Sequence, residues 1–301
     1  MLCRPAGKRV FRITVNNLSK LFIKLRNLLE LVKFSHTLFA LPFALTSMAV
    51  AARGLPSVRI LVGILLCMVG ARTAAMAFNR FLDWEYDKQN PRTQRRTKLA
   101  TKREALVLGI ISLGIFEIGA YSLNFLCFIL SPVAAFLIIF YSLTKRLGSY
   151  SHAVLGLCLS LAPLGAWAAV RDNLNDLLPY LLSLAVFFWT FGFDIIYALQ
   201  DVEFDRRLGL YSVPAQFGEN FSLKLAALLH VLAWICWAIF GWIGTMKWPY
   251  WIALGVVAVI LVYEHFLSRA GEMAKINIAF FNMNAWISIF IFVGVILSIA
   301  I

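Results

Sequence analysis

The chain has 301 residues, 61% of them hydrophobic and 14% charged, with a formal net charge of +13. Soluble globular domains carry about 25% charged residues, and here the apolar residues run in long blocks, so lipid surrounds most of the side chains. The basic residues fall in short loops between those blocks, which excludes nucleic-acid binding as the reason for the charge. Cys3, Cys67, Cys127, Cys158 and Cys236 are scattered with no Cys-x-x-Cys pair. That spacing argues against a disulfide framework or a cysteine metal site.

Residues 1–33 contain eight basic residues and one acid, Glu30. Leu18, Leu21, Phe22, Leu25, Leu28, Leu29 and Val32 recur at helical spacing, with Lys20, Lys24 and Asn27 opposite. This is a basic amphipathic segment suited to lying in the membrane interface. No apolar stretch with a small-residue cleavage site follows, so a cleaved signal peptide is not expected. A basic, acid-poor start also suits mitochondrial targeting. The expected location is therefore the bacterial inner (cytoplasmic) membrane, with the mitochondrial inner membrane as the alternative.

Residues 34–301 read as one transmembrane domain. A spanning helix needs about 20 mostly apolar residues. Nine segments qualify: 34–52, 58–82, 105–123, 125–141, 153–171, 177–200, 221–244, 248–267 and 278–300. The stretch 105–141 is divided by Asn124, so its two helices are expected to be short or tilted. With alternating sides, 22 of the 28 Lys and Arg residues fall on one side and four on the other, while Arg72 and Lys224 lie within helices. The positive-inside rule then puts the N-terminus in the cytoplasm. The expected fold is an all-α integral membrane protein, nine transmembrane helices around a central cavity.

Asp83 and Asp87 close the second span, and Asp201 and Asp205 close the sixth. A spacing of four puts the carboxylates of a pair on one helical face, and Asn79 extends the first. Four crossings separate the pairs, so both emerge on the same side. Carboxylates at a membrane boundary are costly unless solvated, paired or on a metal. Mg²⁺ takes oxygen ligands and is commonly held by one or two carboxylates together with substrate phosphates. Arg92, Arg95, Arg96 and Lys98 follow the first pair, Arg206 and Arg207 follow the second, and Lys145 and Arg146 occupy a loop on the same side. Acids for a metal beside bases for bare phosphate oxygens suit a diphosphate leaving group. A single Asp-x-x-x-Asp pair would more simply solvate a helix end. Two on one side, each followed by arginines, favour a site.

At these residues the chain resembles the UbiA family of intramembrane aromatic prenyltransferases. Asn79 to Asp87 fits the family's Asn-x-x-x-Asp-x-x-x-Asp motif and is followed by Asn90-Pro91-Arg92-Thr93. Asp194 to Asp205 is similar to its second motif, with Gly209 and Ser212 downstream, and Tyr141, Lys145 and Arg146 match a Tyr-x-x-x-Lys-Arg loop. The resemblance implies that Asp83, Asp87, Asp201 and Asp205, helped by Asn79, hold Mg²⁺ on a polyprenyl diphosphate, whose oxygens Arg92, Lys145 and Arg146 bind. His36 to Phe43 and Arg72 to Phe78 resemble a 4-hydroxybenzoate polyprenyltransferase-like subgroup. The implied acceptor is an aromatic acid in ubiquinone biosynthesis, or a naphthoate in menaquinone biosynthesis. Tyr141 and Arg72 are the residues expected at the acceptor.

The remaining residues suggest parts of a mechanism. Phe187, Phe188, Trp189, Phe191 and Phe193 precede Asp194 and offer ring faces to an allylic cation, or ordinary packing. Asp194 lies seven residues before Asp201, nearly on its face, where it could orient a phenol or take its proton. Arg72 lies seven residues before Asn79. Within a membrane it either binds the acceptor carboxylate or forms a structural ion pair with an acid such as Asp194. Asn282 and Asn284 suit interhelical hydrogen bonds. His36, His152, His230 and His265 show no metal-ligand spacing. An ion-coupled transporter is the rival class, but the acids gather at one face, and only Glu117 lies mid-helix among spans 3, 4, 5 and 7. Haem, chlorophyll or glycerophosphate acceptors are rivals within the family.

Overall fold

The computed structural model describes residues 23–24, 26–32, 37–268 and 283–301. His36, the stretch 269–282 with Asn282, and most of the basic N-terminal segment lie outside these. The described chain is helical, with α1 at Thr37–Ala52, α2 at Val58–Leu82, a short α3 at Trp84–Gln89, α4 at Lys102–Leu123, α5 at Phe125–Thr144 and α6 at Ser151–Arg171. It continues with α7 at Leu178–Ala198, short α8 at Val202–Arg207 and α9 at Val213–Phe217, then α10 at Glu219–Ile243, α11 at Trp248–Ser268 and α12 at Asn284–Ala300.

Seven of these segments are long and apolar enough to cross a membrane: α2, α4, α5, α6, α7 continued through α8, α10 and α11. α1 and α12, at 16 and 17 residues, are shorter. Within the described residues, all nine overlap the segments that hydropathy placed.

The stretch around Asn124 differs from expectation in length. Thr101 forms a reciprocal capping box with Glu104, which starts α4 three residues early. At the break, Asn124 accepts a hydrogen bond from the Cys127 backbone N–H (2.8 Å) and donates to the Ala168 carbonyl (2.7 Å). α4 and α5 thus have 22 and 20 residues. At 1.5 Å per residue each is about 30 Å long, enough to span a hydrocarbon core without the shortening expected.

α7 is the central helix. In its most apolar window 61% of residues are buried, against 22% for α4. Trp189 and Phe193 of α7 pack with Phe43 of α1, Trp237 of α10 and Tyr250 of α11 in the main core. Trp189 meets Phe193 edge-on at 4.8 Å, and Phe43 stacks on Trp237 at 5.8 Å. For these two α7 aromatics the packing role therefore holds. α2 and α4 approach at Gly70, where an added Cβ would lie 2.7 Å from the Phe116 backbone nitrogen. The C-terminal ends of α2, α5 and α7 meet at one end of the bundle, where the Tyr211 N–H bonds the Lys145 carbonyl at 2.8 Å.

Candidate active site

Both acidic motifs lie where a helix gives way to a short successor. Asp83 caps the end of α2 and begins α3, and Asp201 ends a 3₁₀ turn that leads into α8. The pairs therefore do not ride one unbroken helix. The one-turn spacing of the first survives because the Asp83 N–H bonds the Asn79 carbonyl (2.9 Å) and the Asp87 N–H bonds the Asp83 carbonyl (2.8 Å).

Each carboxylate faces a cation. Buried Asp87 is held by Arg80 at 2.8 Å and Arg96 at 3.3 Å. Asp83 accepts from Arg146 at 3.2 Å, and the same Arg146 nitrogen donates to the Leu82 carbonyl at 2.7 Å. Asp201 is forked by Arg92, through Nη2 to Oδ2 and through Nε to Oδ1 at 3.0 Å, and Asn90 adds a bond at 3.3 Å. Arg92 also donates to the Tyr197 hydroxyl at 2.7 Å and stacks on that ring. Buried Asp205 has Lys145 at 3.9 Å, too far for a hydrogen bond, and its Oδ2 has no hydrogen-bond partner. Asn79 is half-buried on the turn before Asp83.

Asn90 and Arg92, just past the first motif, thus land on the second, over 100 residues away. Lys145 joins the halves, because it lies in the field of Asp205, Asp201, Asp194 and Asp83. Burial alone would lower its affinity for a proton, and these four acids reverse that and raise it. Burial raises the Asp83 carboxyl above its ordinary value, against the pull of Arg80, Lys145 and Arg146. Among the described residues, no three histidine, cysteine or carboxylate side chains gather at metal-binding distance. Cations occupy the space between the acids instead.

A second group lies deeper. Tyr141 is within electrostatic reach of Asp194, Asp83 and Arg72. Arg72 forms no ion pair among the described residues, and its buried Nε has no hydrogen-bond partner. The structural pair with Asp194 that the sequence left open does not form, since Asp194 is bound to His152 at 2.7 Å. Sequence reasoning missed His152, and it missed Arg80 and Arg96 as partners of Asp87. Arg80 had a usable signal, lying seven residues, two helical turns, before Asp87. His152 had none, because its contact with Asp194 crosses from α6 to α7.

The model of the UbiA prenyltransferase family matches residues 40–287. A 4-hydroxybenzoate octaprenyltransferase from Haemophilus ducreyi is 32% identical over 278 residues, covering 90% of this chain and 99% of that protein. Among solved structures, the apo form of a UbiA homolog from Aeropyrum pernix K1 matches with a TM-score of 0.79 at 28% identity, covering 87% of this chain and 97% of that one. A UbiA homolog from Archaeoglobus fulgidus bound to DMAPP and Mg²⁺ shares the fold, with a TM-score of 0.64 at 18% identity over 88% of this chain and 99% of that one.

Proposed function

Since the chain belongs to the UbiA prenyltransferase family, we propose that it transfers a polyprenyl group from a polyprenyl diphosphate to 4-hydroxybenzoate within the membrane. The observation that carries this reading is the convergence of four carboxylates and five cations, Arg80, Arg92, Arg96, Lys145 and Arg146, at one end of the bundle.

The donor set suits Mg²⁺. It consists of hard oxygen ligands, and one of them, Asp205 Oδ2, is buried without a hydrogen bond. Asp83, Asp87, Asp201 and Asp205, with Asn79, would hold the metal jointly with the diphosphate. When bound, Mg²⁺ supplies positive charge to the diphosphate as the allylic C–O bond breaks. Arg92, Lys145 and Arg146 turn from their carboxylates to the diphosphate oxygens and stabilise the electron pair that leaves with them. The ring carbon beside the phenol oxygen then bonds to the allylic carbon and loses its proton. Asp194 faces the phenol, and Arg72, with Tyr141 beside it, binds the acceptor carboxylate across the cavity.

We further propose nine crossings, with α1 and α12 completing the seven, and a cytoplasmic N-terminus in a bacterial inner membrane. Support comes from the 22-to-4 charge split, from fully buried Phe43 in α1 and Ile287 in α12, and from the bacterial relative.

The test is direct. Purified protein in lipid nanodiscs is given Mg²⁺, labelled polyprenyl diphosphate and 4-hydroxybenzoate. A labelled prenylated acid should form, vanish with EDTA and return with added Mg²⁺. Product from a naphthoate alone would reassign the acceptor. No product from any aromatic acceptor would overturn the reading.

A further inference from the structure

His152 is the second residue of α6 and is fully buried. Its two ring nitrogens are both engaged. Nε2 accepts a hydrogen bond from the Val213 backbone N–H at 3.3 Å, at the start of α9. A nitrogen that accepts cannot carry the proton, so Nδ1 carries it and donates to Asp194 Oδ2 at 2.7 Å. Asp194 Oδ1 makes no hydrogen bond among the described residues, and the side chain is half-buried. One oxygen is thus pinned and the other is left for a ligand.

We propose that His152 is a positioning residue for the acceptor. It holds Asp194 by Oδ2 so that Oδ1 meets the phenol. The inference rests on the reading above that Asp194 faces the phenol. Fully buried, His152 does not itself touch substrate. It is also no proton relay: Nδ1 is already protonated, and Nε2 can take a proton only by breaking its bond with Val213. The proton lost by the ring stays on Asp194 or passes to water. The link also ties the halves of the site together, because Ser212, next to Val213, faces Asp205 of the second motif. Closure of α9 on the metal motif and orientation of Asp194 thus share one support.

The substitutions separate orientation from bulk. Asparagine places its amide nitrogen near the position of Nδ1 and keeps the donor to Asp194. Glutamine fills more of the space and reaches the Nε2 end, but puts no donor at Nδ1. We expect His152→Ala and His152→Gln to lower kcat about 10- to 100-fold with donor KM unchanged, as for other residues that orient a site group. His152→Asn should stay within about fivefold of the parent on the same scale. His152→Ala combined with Asp194→Asn should lose no more than Asp194→Asn alone, since one residue acts through the other. Melting temperature is followed throughout, and the glutamine variant guards against a collapsed site in the alanine variant. Additive losses in the double variant, or asparagine no better than glutamine, would overturn the role of His152. An Asp194→Asn variant of full activity would overturn the Asp194 reading itself, and the inference with it.

Discussion

Arg92 and Asp201, 109 residues apart, form a two-pronged ion pair that ties the loop after the first acidic motif to the second. The planar fork of a guanidinium matches a carboxylate and a phosphate equally well. The fork rests on Asp201; under the proposed function a diphosphate would offer it a more highly charged partner and free Asp201 for metal. Arg92→Lys keeps the charge and loses the fork. Donor KM should rise about tenfold, equivalent to about 1.4 kcal/mol, with acceptor KM unchanged. Initial rates at saturating acceptor measure this, and an unchanged donor KM would detach Arg92 from the diphosphate.

Asp83→Asn and Asp201→Asn alter charge with little change in shape. Either should reduce turnover by about a hundredfold to a thousandfold, the scale expected when electrostatic stabilisation of the leaving group is lost. Because each acid also neutralises a cation, the melting temperature of detergent-solubilised protein should be recorded alongside product formation. Full activity in either variant, with the fold intact, contradicts the assignment of the acids to the metal.

Arg72 poses a different balance. A guanidinium that buries its Nε without a hydrogen bond and has no carboxylate partner among the described residues is costly to the folded state, so a function is expected to retain it. Arg72→Met fills similar volume without charge. It should leave the melting temperature equal or higher while acceptor KM rises about tenfold, the loss of one charge-assisted contact. A rise confined to donor KM would move Arg72 to the diphosphate, and a sharp loss of stability would make it structural.

Helix positions were legible because apolar length and charge alternation report them independently. The parity of crossings also put Asp83 and Asp201 on one side, and their loops do meet. What hydropathy does not set is the rotation of each helix about its own axis. Hence Trp189 and Phe193 in the core were not separable from their half-buried neighbours Phe187 and Phe191. The Asp194 partner was missed for the same reason: helical spacing offered Arg72, and only packing of α6 on α7 brings His152 to Asp194. Boundaries fixed by caps, such as Thr101 with Glu104, were readable in principle and were overlooked in favour of apolar length.

Close packing of α2 on α4 should resist even one methyl group. A Cβ at Gly70 would lie 2.7 Å from Phe116 N and 2.9 Å from the Ser112 carbonyl oxygen, and backbone cannot swing aside as a side chain can. Gly70→Ala should therefore cost about 1–3 kcal/mol despite the better helix propensity of alanine. Gly114 has nothing within 4 Å of its added Cβ, so Gly114→Ala is the matched control and should be neutral or stabilising. Thermal unfolding of the two variants decides the matter, and equal melting temperatures would show that the helices separate freely.

Asn284 bears out the expected interhelical amide, and it meets an unexpected partner. Its Nδ2 donates to Glu264 Oε1 at 2.9 Å, joining α12 to α11 with both residues fully buried. Glu264 Oε2 has no hydrogen bond, and the His230 imidazole Nδ1 lies 3.9 Å away. Asn284→Leu would strip the carboxyl of this donor and should cost about 1–2 kcal/mol, the range for a lost interhelical bond plus an orphaned polar group. Replacing both partners, Glu264→Leu with Asn284→Leu, removes the orphan along with the bond. That variant should melt above the Asn284→Leu single, because the larger part of the penalty comes from the stranded carboxyl and not from the missing bond. If the double variant instead melted at the sum of the two single losses, the two residues would contribute independently, and the loss in Asn284→Leu would not come from a stranded carboxyl.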